Sequence, residues 1–519
     1  MVKAFRPASR SKHKVSKQRG TAKAVGKSPA DQYDRKPQQV IESLQIDTLD
    51  HEGVGVARNY SPVAFVSGAL PGEVLQVQVN EKKKHFLKGH ALEIEQAHPA
   101  RQQAFCERFG HCGGCQTQYL DHLTMLDMKQ DAVTGLLAKF TDPKAFDAAN
   151  EVWRPALSGA GTGYRRKTRL AVDVRRSNDR RLGYRAQGST EVVSVDHCAV
   201  LQPDLNRLLV PLQSLIEQLQ NPSSIGHVEL LLGDEASDVT ADGAMNTAQP
   251  LVVIRTTKTL PAVDKKQLIT FAHENACTLA LEIRQSEYEV LSGEAAQIDY
   301  HLLDGNRLRA LPNDFIQVNP EINRHTVAQA IEWLDVQPQD NILDLFCGLG
   351  NFSLSLAKIA SKVIGLEGVP QMVQHGKYNA RSNHIDNVEF YCQDLASSDA
   401  LKKWRQSGIN KVLLDPARAG AKALMPQIME LNPEKILYVS CNPATFGRDI
   451  AVLCGNAPSQ ESATKTYTER ELAIKHLAGK TLKPAKPKAG ITYKLDKIAL
   501  LDMFPYTAHT ELMALLVRQ

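Results

Sequence analysis

Residues 341–352 read Asn-Ile-Leu-Asp-Leu-Phe-Cys-Gly-Leu-Gly-Asn-Phe, and this stretch decides the fold. An apolar run carrying Asp344 breaks into a turn at Gly348 and Gly350, and a helical pattern follows from about residue 351. Open α/β sheets bind ligands at the carboxyl ends of their strands, where such turns lie, and glycine lets the backbone approach a ligand closely. Alone, the Gly-x-Gly also fits a dinucleotide site or a plain structural turn.

The segments downstream narrow the choice. KVIGLEG (362–368) carries Glu367 at its end, VEFYCQD (388–394) ends on Asp394, and KVLLDP (411–416) carries Asp415; KILYVSCNP (435–443) follows, then IALLDMFP (498–505) and ELMALLVR (511–518) as a terminal hairpin. Strands separated by helices predict a doubly wound, mainly parallel, Rossmann-like α/β domain over residues 311–519. Acids end four successive strands. Glu367 suits two ribose hydroxyls, Asp394 an adenine amino group, and Asp415 the reaction site. This is the pattern of class I S-adenosylmethionine methyltransferases, and a phosphate-rich dinucleotide would be repelled by so many carboxylates.

Cys441 sits on the same ligand-binding edge. Uracil C5 is a poor nucleophile at neutral pH, so an enzyme that methylates it must first add a group to C6, and a thiolate is suited to that attack. A base must then remove the C5 proton. The run DMFPYTAHTE (502–511) offers His509 and Glu511, and a terminal strand brings Glu511 towards Cys441. The plainer readings are a buried thiol and a strand-edge acid.

Upstream the chain is differently built. Residues 39–96 show short alternating runs such as VLQVQV (74–79) punctuated by Gly53, Gly55, Gly68 and Gly72, which predicts a small antiparallel, OB-like β-barrel. Lys82, Lys83, Lys84, His85 and Phe86 would offer charge and a stacking face to a nucleic-acid strand. Residues 97–310 read as a central α+β domain, with an amphipathic helix over about 119–140 and strands at TRLAVDV, HVELLLGD, PLVVIRTT and TLALEIRQ. Nine Lys/Arg against two Asp between Tyr164 and Arg185 make a second candidate for phosphate contact.

The domain opens with Cys106, Cys112 and Cys115, and the next cysteine outside the methyltransferase motifs is Cys198. Four thiolates hold zinc or an iron–sulfur cluster; one short pair with a distant fourth ligand leans towards a cluster. Cys277, Cys347, Cys392 and Cys454 read as packing residues.

Of the 62 Lys and Arg, nine fall in residues 1–30, where there is no acid, so the net charge of +5 hides a slightly acidic body behind a basic tail (residues 1–38). Such a tail either attracts nucleic acid by counterion release or is simply a solvated terminus. Nine cysteines in 519 residues do not make a disulfide scaffold. No apolar run suits a membrane span or a signal peptide, so a soluble, monomeric cytoplasmic protein is the expectation.

The chain resembles the bacterial RNA 5-methyluridine methyltransferases, most closely those acting on 23S ribosomal RNA, through DFIQVN (314–319), DLFCGLGNF (344–352), LLDPARAG (413–420), VSCNPATFGRD (439–449) and DMFPYTAHTE (502–511). The resemblance runs from residue 39 to the end. It implies that Gln317, Phe346, Asn351, Glu367, Asp394 and Asp415 line the methyl-donor pocket, that Cys441 is nucleophile and Glu511 base, that the barrel is a TRAM domain, and that Cys106, Cys112, Cys115 and Cys198 carry a [4Fe-4S] cluster. Two departures are Tyr506, where the family usually has His, and an extended stretch at 455–489.

Other readings fare worse. A cytosine-C5 enzyme places its thiol in a Pro-Cys motif where this chain has Asp415-Pro416-Ala417-Arg418, and an amino-group methyltransferase needs an Asn/Asp-Pro-Pro-aromatic motif there. The same chemistry on tRNA and a non-catalytic iron–sulfur RNA-binding protein are the remaining alternatives.

Overall fold

The structure, a computed structural model, describes residues 39–147, 151–234, 249–456 and 492–519. The basic tail and nearly all of the 455–489 stretch lie outside them.

Three large sheets carry the architecture of the described residues, beside a two-stranded ladder of Ile298–His301 and Arg307–Ala310. Near the amino terminus, Val40–Gln45, Val74–Lys82, Phe86–Gln96, Val63–Ser67, Gly55–Ala57 and Thr48–Leu49 form one six-stranded sheet in that order. Its two edge strands are consecutive in the chain, and the link between them bonds to both sides: Ile46 N donates to Glu73 O and Asp47 N to Val56 O. The sheet thus closes into the expected barrel. One pairing differs from expectation, since Val63–Ser67 runs parallel to Phe86–Gln96. Phe86 is also no stacking platform; it is buried edge-on against Phe65, with the Lys83 and Lys88 ammonium groups over its ring.

The central sheet has seven strands, ordered Glu287–Ser292, Thr278–Arg284, Leu251–Thr256, Ile225–Leu231, Lys167–Asp173, Arg181–Arg185 and Val192–Ser194. The four strands anticipated from apolar runs are its contiguous centre. Helices Leu209–Gln218 and Ala262–Glu274 cover an apolar layer that includes Leu170, Leu212, Val228 and Leu268.

The third sheet places the site. Its order is Val388–Cys392, Lys362–Glu367, Asn341–Leu345, Lys411–Leu414, Lys435–Ser440, Glu511–Arg518 and Tyr493–Leu501. The first five run parallel, and Glu511–Arg518 is antiparallel to Lys435–Ser440. Parallel strands are covered on both faces and so read as unbroken apolar runs. Within each run the two-residue period divides the faces: Ile342, Leu413, Leu437 and Met513 join one buried cluster, Leu343, Leu414, Tyr438 and Leu512 the other. Helices Pro320–Leu334 and Pro370–Ser382 pack on the first, Met425–Leu431 and Pro443–Leu453 on the second.

Earlier chain joins this second face. Helix His122–Leu137 contributes Leu126, Val133 and Leu137 to it. Segment 152–157 lies along the outer strand, with Arg154 N donating to Ile498 O and Leu157 N to Leu500 O, and so covers an edge that would otherwise stand open.

Candidate active site at the carboxyl edge of the sheet

Strand Asn341–Leu345 stops because the next residues leave extended geometry: Phe346, Gly348 and Gly350 all have positive φ, at 64°, 55° and 98°. A phenylalanine in the left-handed region is strained, and Phe346 N donating to Leu366 O helps to hold it. Gly350 has no free choice, because a Cβ there would come within 3.2 Å of both Leu354 and Phe390. The turn is tied back by the Ser353 hydroxyl, which donates to buried Asp344, and the helix that follows, Ser353–Ala357, starts two residues later than expected.

Of the predicted donor-pocket residues, Phe346 and Asn351 belong to or follow this turn and Glu367 bonds to it. Glu367 accepts from Gly348 N at 3.2 Å and Val369 N at 2.8 Å. Asp394 is exposed two residues beyond the end of its strand and accepts from Ala396 N. The Asn351 amide is engaged reciprocally with Asn323 at 2.9 and 3.0 Å, so a residue of helix Pro320–Leu334, unnoticed in the sequence, fixes its orientation. Gln317 Oε1 and Asp344 Oδ1 are buried acceptors with no hydrogen-bond partner. Orphaned buried acceptors fit a ligand bearing an ammonium or other donor group. Burial and neighbouring Asp415 and Glu367 hold Asp344 up at about 7 despite the Ser353 bond.

Cys441 lies between strand Lys435–Ser440 and helix Pro443–Leu453. Asn442 caps that helix by accepting from Ala444 N and Thr445 N, and Pro443 starts it at no hydrogen-bonding cost. Ser440 is opposite Leu512 in the ladder, so one step further Cys441 and Glu511 come together at the sheet edge. Glu511 is buried, and burial with repulsion from Asp415 raises its carboxyl to about 8. Burial takes Asp415 to about 7. The Cys441 thiol is pushed up to about 11 by burial and by Glu511 and Asp415, against the pull of Arg418. Thiol and carboxyls thus act on one another in one place.

Asp449, within the VSCNPATFGRD run, holds this arrangement from behind. It accepts from Tyr438 Oη at 2.9 Å and Ala421 N at 2.6 Å, locking the 415–421 loop to the helix after Cys441. In front of Cys441 opens a groove of about 190 Å³ whose other wall is the barrel: His51, Arg58 and Phe65 face Lys139, Arg418 and Cys441. The barrel meets the site here and not through the Lys82–Phe86 turn.

Cys106, Cys112, Cys115 and Cys198 all line one cavity of about 450 Å³. Burial, foremost, raises the Cys112 and Cys198 thiols and takes Cys115 to about 12, with repulsion between the thiols adding at Cys112 and Cys115. Among the described residues no group of three or more Cys, His, Asp or Glu side chains is placed to hold a metal ion. All nine cysteines are free thiols. Cys277 and Cys347 are buried as expected of packing residues, but Cys392 is exposed, since it ends an outer strand. Among the described residues no helix is long and apolar enough to cross a membrane.

A class I methyltransferase sheet joined to a small nucleic-acid-type barrel defines the broad class. Comparison with known proteins is consistent with it: residues 305–457 match the tRNA (Uracil-5-)-methyltransferase family and residues 40–92 the TRAM domain. The chain is 37% identical over 479 residues to the 23S rRNA (uracil(1939)-C(5))-methyltransferase RlmD of Vibrio cholerae serotype O1 (strain M66-2), covering 92% of this chain and 96% of that protein. It is 38% identical over 474 residues to RlmD of Shewanella amazonensis, covering 91% and 95%. The Pyrococcus abyssi tRNA (uracil-54, C5)-methyltransferase, solved with S-adenosyl-L-homocysteine, shares the fold at a TM-score of 0.62 and 22% identity, covering 92% of this chain and all of that one. The chain belongs to the RlmD family of uracil-C5 RNA methyltransferases.

Proposed function

We propose that the protein methylates C5 of a uridine in 23S ribosomal RNA, with Cys441 as nucleophile and Glu511 as base. The observation that carries this reading is the convergence of Cys441, Glu511 and Asp415 at one sheet edge, beside a groove walled by the barrel. Relatives spanning more than nine-tenths of the chain bear the 23S name, which favours ribosomal RNA over tRNA.

The Cys441 thiolate adds to C6, and the C5–C6 π electrons move to C5 and the neighbouring carbonyl. S-adenosylmethionine, when bound, would supply an electrophilic methyl group to C5, its methyl–sulfur bond breaking with the electron pair left on the donor sulfur. The Glu511 carboxylate then takes the C5 proton, the C–H electrons restore the C5–C6 double bond, and the Cys441–C6 bond breaks with its pair returning to sulfur. Gln317, Phe346, Asn351, Glu367, Asp394 and Asp415 would hold the donor, the orphaned Gln317 and Asp344 oxygens offering acceptors to its amino group. Cys441 precedes a helix amino terminus, which favours a thiolate, but burial and two acids outweigh this in the free protein.

Cys106, Cys112, Cys115 and Cys198 would hold a [4Fe-4S] cluster. Four thiols around a cavity suit a polynuclear group better than one zinc, whose bonds of about 2.3 Å require a tight tetrahedron. Free thiols throughout support a cytoplasmic setting.

An RNA fragment carrying 5-fluorouridine at the target tests the mechanism, since fluorine at C5 cannot leave as a proton. Wild-type protein with S-adenosylmethionine should form a protein–RNA adduct that survives denaturing electrophoresis, and Cys441→Ala should form none. An adduct undiminished in the variant would remove Cys441 from the mechanism.

A further inference from the structure

Lys129 sits among Met125, Leu126 and Val133 on the buried face of helix His122–Leu137 and is only 5% exposed. Burying an ammonium group is costly unless its protons find acceptors. Here Nζ donates to Thr507 O at 2.9 Å and His509 O at 2.8 Å, carbonyls four and two residues ahead of Glu511. Their loop makes few bonds of its own, chiefly Thr507 to Phe504 O and His509 N to Thr507 Oγ1. Other support comes from far away in the chain. Gln116 N and Thr117 N donate to Tyr506 O at 2.9 and 3.2 Å, Ala508 N donates to Gln116 Oε1 at 3.0 Å, and the Thr510 hydroxyl donates to His51 O on the barrel. Gly53 of the barrel packs on the Lys129 stem, where a Cβ would lie 3.4 Å from Cε.

We infer that Lys129 is a positioning residue for the base, clamping the Thr507 and His509 carbonyls so that the Glu511 carboxyl stands where the C5 proton is released. The inference rests on the reading of Glu511 as that base. Displacing the base leaves C6 attack and methyl transfer intact but slows proton removal, so sulfur cannot be expelled. The methylated Cys441–C6 adduct should then accumulate.

The full-length protein is incubated with target RNA and methyl-labelled S-adenosylmethionine, then run on a denaturing gel. Lys129→Met should lower turnover on the order of 100-fold, the scale of about 1 Å of misplacement, with KM falling alongside because the covalent adduct accumulates. It should also place label on a protein–RNA band, as Glu511→Gln should do more strongly; Lys129→Arg, which keeps donors, should restore much of the turnover and clear the band. Slow turnover in Lys129→Met without the labelled band, while Glu511→Gln shows it, overturns the inference and leaves the reading of Glu511 standing. No band in Glu511→Gln overturns that reading itself. If Lys129→Met does not fold, Lys129→Gln, which keeps donors on a shorter stem, carries the test: slow turnover with a labelled band supports the clamp, and slow turnover without a band, or normal turnover, overturns it.

Discussion

Glu511 lies in surroundings that reverse the usual preference of a carboxyl group for the charged form. Its raised value means that the native state keeps a proton the unfolded chain loses, so folding stability falls as pH rises from the ordinary 4.5 to about 8. Glu511→Gln removes this dependence. Its unfolding midpoint relative to wild type should therefore rise between pH 5 and pH 8, as thermal scans in parallel buffers would show; a constant difference would mean an ordinary carboxyl. In catalysis the sign is opposite, because the base works only when deprotonated. With proton removal by Glu511 limiting, kcat should climb about tenfold per pH unit below about pH 8, with Asp415 titrating as its coupled partner. Cys441, held up at about 11, should react slowly with iodoacetamide at pH 7 in the free protein and faster as pH rises, and Arg418→Ala should slow labelling further. The sequence displayed both residues, since each ends a recognisable run. Their shifts were not legible there, because they arise from burial and from each other across 70 residues of chain.

At the scale of elements, the turn after Asn341–Leu345 is the most demanding piece of backbone. Gly350→Ala must adopt φ near 98° with a Cβ against Leu354 and Phe390. A loss of about 1–3 kcal/mol in stability and weaker S-adenosylmethionine binding are expected, measurable by denaturant titration and calorimetry. The glycine spacing announced this turn. Nothing announced Phe346 in the left-handed region, which follows from the bond to Leu366 O on the neighbouring strand. Lys129 did leave a trace, as a charge on an otherwise apolar helical stripe, but its acceptors lie about 380 residues away. Asn323 left none. Phe86 misled for a related reason: Lys82–His85 beside an aromatic looks like a binding face, while the strand period turns Phe86 inward onto Phe65.

For the whole molecule, the sequence predicts a barrel, a central α+β region over 97–310 and a methyltransferase region in that order, but not how the described residues interleave. Helix His122–Leu137 and the edge segment 152–157 complete the methyltransferase layer before the central sheet begins, and the barrel reaches Cys441 with a different face from the one its charges suggested. Such contacts depend on how finished surfaces fit, which local periodicity does not encode. The basic tail belongs to this scale too: deleting residues 1–30 should flatten the salt dependence of RNA affinity and leave the modified uridine unchanged, checked by binding titrations at several salt concentrations and by mapping the product. The account as a whole stands on one chemical outcome, methyl transfer from labelled S-adenosylmethionine to unmodified 23S ribosomal RNA, digested to nucleosides, for wild type and Cys441→Ala. It predicts label in 5-methyluridine that is lost in the variant. Label in 5-methylcytidine or an N-methylated base, or activity that survives without the thiol, would contradict it.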